Sequence, residues 1–194
     1  MSEDSYTKVK SQFISLCADY SLRRTPHDGA GDEFDQLLAS GRFQQIAVHD
    51  GALLARTRMV YMKPLTENWR RIGEYLLEIN KNNFRALNLV TTIGGHNGPH
   101  LNKEGLFCIS QGKEEIMMYI KEGKLAQTLF AVEQLLWHLN PDQKGQFVDA
   151  KVEQWPLANE GELEWLKQDA AVSSDLGRPA ATSRSYWQGW GRRS

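Results

Sequence analysis

An α+β fold is predicted for this chain of 194 residues: an N-terminal helix, a four-stranded antiparallel meander, a candidate active-site loop, then further helices. Three observations carry that expectation. Apolar residues recur at helical spacing near the N-terminus, alternating runs fill residues 43–93 between turn signals, and a stronger helical stripe begins at Leu125.

Val9, Phe13, Leu16, Cys17 and Tyr20 share one helical face, so Ser5 to Tyr20 reads as an amphipathic helix in which Cys17 is a small buried hydrophobe. Pro26 and two glycines break the pattern over Arg23 to Gly31. Asp32 to Ser40, carrying Phe34, Leu37 and Leu38, is a short helix stopped by Gly41. Phe43 to Val48 is a first strand, followed by hairpin-turn chemistry at His49-Asp50-Gly51, where His49 is a turn residue and nothing more. Ala52 to Met62 is a second strand, with Leu53, Ala55, Thr57, Met59 and Tyr61 on one face and Arg56 and Arg58 on the other. Ile72 to Ile79 reads as a third, since Tyr75, Leu77 and Ile79 alternate with Glu74, Leu76 and Glu78. A helix from Thr66 to Asn80 competes for these residues; Gly73 and the strict alternation favour the strand. After a turn at Asn80 to Asn83, Leu87 to Ile93 is the fourth strand. Lys113 to Lys121 is a helix ending at Gly123, and Leu125, Leu129, Val132, Leu135, Leu136 and Leu139 mark a longer one closed by Asn140-Pro141. Val148, Val152 and Trp155 cover the remaining core, and Glu162 to Asp169 adds one or two helical turns.

The length and a hydrophobic content of 41% suit one sizeable core. We expect an N-terminal helical extension over 1–31, a core domain over 32–156 and a C-terminal tail over 157–194. A formal charge of −1 argues against nucleic-acid binding through bulk electrostatics. No apolar run approaches the roughly 20 residues that span a bilayer, and the polar start MSEDSYTKVK lacks the apolar segment of a signal peptide. Neither nucleic acid nor membrane is therefore expected as a partner. Two cysteines, Cys17 and Cys108, form no disulfide framework and fit a reducing cytoplasm. From Ala170 the chain is rich in Ala, Ser, Gly and Arg. Tyr186, Trp187 and Trp190 lie there among four arginines, either as a docking surface for a partner or as a tail folded onto its own domain.

The stretch from Gly94 to Ser110 concentrates four glycines, a proline, His96, His100 and Cys108 between the last expected strand and the next helix. Glycine and proline mark irregular backbone, and reactive side chains on such a loop mark candidate chemistry. Taken alone, Cys108 has two readings. It is a nucleophile with two imidazoles nearby in sequence, or a structural cysteine ahead of a helix.

The order of helix, meander, Gly/Pro/His-rich loop, cysteine, helix and Asn-Pro-Asp resembles the ubiquitin-conjugating enzyme fold over roughly Asp32 to Trp155. In that family a His-Pro-Asn motif is followed by a second asparagine, a glycine and the catalytic cysteine nine residues after the proline. Pro99 and Cys108 have that spacing, with Asn102 and Gly105 at the matching offsets, and Asn140-Pro141-Asp142 is similar to the family's Asn-Pro-Asp loop. The pattern resembles diverged bacterial members from ubiquitin-like conjugation operons. It departs at Gly98, which replaces the histidine, at His100, which replaces the asparagine, at His96, displaced by two positions, and at Gln143, where many members carry an acidic residue.

The resemblance implies a transferase that needs no metal or bound cofactor. Cys108 would accept a ubiquitin-like protein as a thioester from an activating enzyme and pass it to an amine on a target protein. His100 stands where the family's asparagine stabilises the oxyanion or orders the loop. Asn102 belongs to the same catalytic motif and, as a loop asparagine, is expected to hold backbone N–H groups. Asp142 would orient or deprotonate the incoming lysine, and His96 would satisfy a loop carbonyl.

Three other readings stand beside this one. The missing His-Pro-Asn triad fits a non-catalytic variant acting as a binding scaffold. A cysteine hydrolase using His96 or His100 is awkward, because such enzymes bring the histidine from a distant segment. Metal binding by His96, His100 and Cys108 lacks a fourth ligand at suitable spacing.

Overall fold

Ser2 opens the chain's first helix, its Oγ accepting from the Ser5 N–H at 3.3 Å while Glu3 and Asp4 sit at the positive end of the dipole. In the computed structural model the described residues are 2–63, 68–90, 92–98, 101–107, 112–137, 152 and 154–175, with side chains to 168. Helix α1 spans Glu3–Tyr20 and buries Phe13, Leu16, Cys17 and Tyr20, the stripe expected from their spacing. Helix α2 (Ala30–Ala39) starts two residues earlier than expected and ends at Ser40, ahead of Gly41.

The meander follows. Strands β1 (Phe43–His49) and β2 (Ala52–Thr57) are joined through Asp50 and Gly51, both at positive φ (49° and 72°), as a two-residue hairpin turn requires. With β3 as Val60–Met62, β4 as Arg70–Gly73, β5 as Tyr75–Asn80 and β6 as Asn83–Asn88, the four-stranded antiparallel sheet runs β1-β2-β5-β6, while β3 and β4 pair separately. The fold is thus α+β with an N-terminal helix, a four-stranded antiparallel sheet and later helices.

Three expectations need correction. The run Ala52 to Met62 is two strands, because the Thr57 hydroxyl accepts from the Tyr75 N–H (2.9 Å) and donates to the Arg58 carbonyl (2.8 Å), so the chain leaves the sheet there. Ile72 to Ile79 is likewise split at Glu74, although the alternation holds: Tyr75, Leu77 and Ile79 are buried. No helix forms over 70–80. The fourth strand is not Leu87 to Ile93 but Asn83–Asn88. Past it Leu89 and Val90 are 49% and 52% exposed, because the Asn88 Oδ1 accepts from the Val90 N–H at 3.0 Å and turns the chain off the sheet.

Helix α3 (Lys113–Lys121) ends in a Schellman pattern, the N–H groups of Gly123 and Lys124 donating to Ile120 and Tyr119 at 3.0 and 2.9 Å. Helix α4 (Leu125–Trp137) has Leu125, Leu129 and Val132 fully buried; its expected end at Leu139 and Asn140-Pro141 lies outside the described residues, as does Val148. Val152 and Trp155 are buried, as expected.

After Trp155, Pro156 accepts from the Arg71 N–H (2.8 Å) and Ala158 donates to Trp69 (2.9 Å), so this segment runs alongside β4. Asn159 and Glu162 then bond each other's N–H reciprocally (2.9 and 2.8 Å). This capping box starts helix α5 at Glu160, and the helix runs to Asp175, longer than the one or two turns expected. Glu162 also accepts from the Tyr61 hydroxyl at 2.9 Å.

One apolar cluster gathers α1, α2, α3 and α4 against the inward face of the sheet. The outward face carries the pairs Arg56–Glu74 (2.5 Å) and Arg85–Glu78 (2.6 Å). Among the described residues no helix is long and apolar enough to cross a membrane.

Candidate active site

A strand at the edge of a sheet leaves a row of N–H and C=O groups that something must satisfy. Along β6 the loop does this. Ala86 donates to the Gly105 carbonyl at 2.9 Å, and Asn88 donates to the Asn97 Oδ1 at 3.0 Å. The loop is therefore laid against the sheet at two points, one on each side of Pro99 and His100.

Asn97 is 6% exposed, and its side chain and its carbonyl together make five hydrogen bonds. Its Nδ2 donates to the carbonyls of Asn102 (3.1 Å) and Lys103 (3.0 Å), tying the two halves of the loop together. Its own carbonyl accepts from the Tyr75 hydroxyl and from the Asn88 Nδ2, both at 3.0 Å. Burial pushes the Tyr75 hydroxyl well above its ordinary pKa, which keeps the proton in place for this bond. Tyr75 in turn fits only beside a residue without a side chain: a Cβ on Gly98 would lie 2.6 Å from its oxygen.

The second half of the loop is equally ordered. The Asn102 Oδ1 accepts from the N–H groups of Glu104 (3.0 Å) and Leu106 (2.7 Å), the backbone-holding role expected of it. Gly105 has φ +78° and packs so closely on β6 that a Cβ would meet the Ala86 carbonyl at 2.6 Å. Phe107 bridges to Leu101 and stacks on Phe84 with ring centroids 5.6 Å apart, which fixes the chain up to the residue before Cys108. The His96 Nδ1 lies 3.1 Å from the Leu101 carbonyl, again as expected.

The structure brings together His96, Gly98, Asn102 and Gly105. The other expected site residues, Pro99, His100, Cys108, Asp142, Tyr186, Trp187 and Trp190, lie outside the described residues. Sequence reasoning missed Asn97, Asn88 and Tyr75 as the loop's supports. A signal was present for Tyr75, since alternation placed it on the inward face, where a buried hydroxyl needs a partner. The second cysteine, Cys17, is fully buried, and desolvation pushes its thiol up to about 12. At neutral pH it is a protonated core residue.

Comparison with known proteins found no relative: no family model matches the chain, and no curated protein or solved structure matches it. The functional reading therefore rests on the residues themselves.

Proposed function

We propose that this chain is a ubiquitin-conjugating-enzyme-like transferase, in which Cys108 accepts a ubiquitin-like protein as a thioester and passes it to a lysine of a target. The observation that carries this reading is the spacing of Pro99, Asn102, Gly105 and Cys108 on one loop. It is supported by the anchoring of that loop to the sheet edge through Asn97 and Gly105. Acyl transfer needs a nucleophile held in place rather than a cofactor, and positioning alone supplies a large part of such a rate.

In this reading the Cys108 thiolate attacks the thioester carbonyl presented by an activating enzyme, the imidazole N–H of His100 donates to the oxyanion, and collapse of the intermediate breaks the old C–S bond and releases the activating enzyme's thiolate. Losing one such donor costs about 3–4 kcal/mol in the barrier. Asp142 orients the attacking amine, which forms an amide with the tag, loses a proton to solvent and expels the Cys108 thiolate. Mixing the protein with activating enzyme, ATP and the tag is expected to yield a reductant-sensitive adduct. Its persistence in Cys108→Ala would rule the assignment out.

A non-catalytic scaffold is the second reading, favoured by Gly98: with Tyr75 seated against it, the family's motif histidine has no room at that position. Iodoacetamide titration of the folded protein separates the two. Because the Cys17 thiol is raised to about 12 by burial, its protonated form contributes stability that is present below the ordinary thiol pKa of about 9 and lost as pH rises towards 12. Near pH 8 Cys17 stays unmodified, so alkylation of one thiol per chain supports the transferase and alkylation of none supports the scaffold.

A further inference from the structure

The loop covers the β6 edge of the sheet, and β1 forms the opposite edge. Among the described residues no backbone or side-chain group bonds to that outer side of β1. His49 and Ala52 flank a two-residue turn, so they form a hydrogen-bonded pair, and alternation then commits the N–H and C=O of His49, Ala47 and Gln45 to β2. The N–H and C=O of Ile46 and Val48 point away from the sheet. Natural edge strands are usually blunted by lysine, proline or inward charge. Phe43–His49 contains none of these; its one irregularity is the register shift between Phe43 and Gln45, at the far end from the turn.

The free stretch is complementary to itself. In an antiparallel pairing that sets Ile46 opposite Val48 of a second copy, the outward groups of both residues on both strands are satisfied, giving four hydrogen bonds. Ile46 and Val48 share the inward, apolar face, so the cross-strand contacts there are β-branched on β-branched. The two-fold axis then passes between the two copies of Ala47, a non-hydrogen-bonded position where side chains approach most closely and where a small residue fits. Ala47 is exposed on the outward face. The formal charge of −1 leaves little repulsion between copies.

We propose that β1 is a self-association edge, pairing with β1 of a second copy about Ala47 so that the two sheets become continuous. This is independent of the transfer chemistry at the opposite edge. Sedimentation velocity of the full chain across the micromolar range is expected to show a dimer. Ala47→Lys sets two ammonium groups against each other at the axis and should raise the dissociation constant about a hundredfold. A cysteine scan gives a second, independent reading. In a Cys108→Ser background, Ala47→Cys should form a disulfide-linked dimer on mild oxidation while Gln45→Cys, which faces His49 of the second copy, should not. A chain that stays monomeric throughout, a dimer untouched by Ala47→Lys, or the absence of the Ala47→Cys cross-link would each overturn the proposal.

Discussion

The two edges of the sheet meet the same requirement in opposite ways. Along β6 the N–H groups of Ala86 and Asn88 are taken up by the chain itself, through the Gly105 carbonyl and the Asn97 side chain. Along β1 the described residues leave Ile46 and Val48 to the outside. The difference shows what orders the candidate active-site loop. Beside the apolar packing of Leu101 and Phe107, it is a buried Asn97 making five hydrogen bonds to four residues, and buried polar groups hold a unique geometry because each missing bond is expensive in a low dielectric. The loop edge is specified atom by atom, whereas the β1 edge is specified only by its strand register.

That contrast is most easily broken at Asn97. Asn97→Ala removes one acceptor and two donated bonds at once: the Asn88 N–H and the Lys103 carbonyl lose the Asn97 amide, while the Asn102 carbonyl keeps the Gly105 N–H. A loss of about 3 kcal/mol is expected by denaturant titration. Under the proposed transferase reading, thioester formation should fall by more than stability explains, because the loop loses the tie between its halves. Gly105→Ala should cost less, about 2 kcal/mol, from placing a Cβ at positive φ against the Ala86 carbonyl. Amide exchange would localise the damage: the Ala86 N–H should lose protection while β2 and β5 keep theirs. Uniform loss of protection would mean that the loop and sheet fold as one unit, and the contrast between the edges would fail.

The elements were legible where a single period ran uninterrupted. The stripe Phe13, Leu16, Cys17 and Tyr20 and the alternation Tyr75, Leu77 and Ile79 both appear as read. The reading failed where a side chain replaces the ladder. Thr57 takes the Tyr75 N–H and ends β2 early, and Asn88 captures the Val90 N–H, so an apolar run that scans as strand becomes an exposed turn. Hydrophobic pattern carries no information about such captures, since a threonine or asparagine in a strand looks the same whether it faces solvent or a neighbour's backbone. The site followed the same rule. Asn102 and His96 were legible because each acts within a few residues of itself, whereas Asn97 draws on Tyr75, 22 positions away, which spacing alone does not reveal.

The smallest effect is expected at the other edge. Ala47 touches neither the core nor any bond of the loop, and lysine is tolerated on exposed edge strands. Ala47→Lys should therefore change the stability of the folded chain by no more than about 0.5 kcal/mol. Its diagnostic value lies in concentration dependence. If β1 joins two copies, the wild-type thermal midpoint rises with protein concentration by mass action, and the variant's does not. Equal slopes for the two proteins would mean that the β1 edge is solvated as it stands, and that the sheet carries one covered edge and one that water alone satisfies.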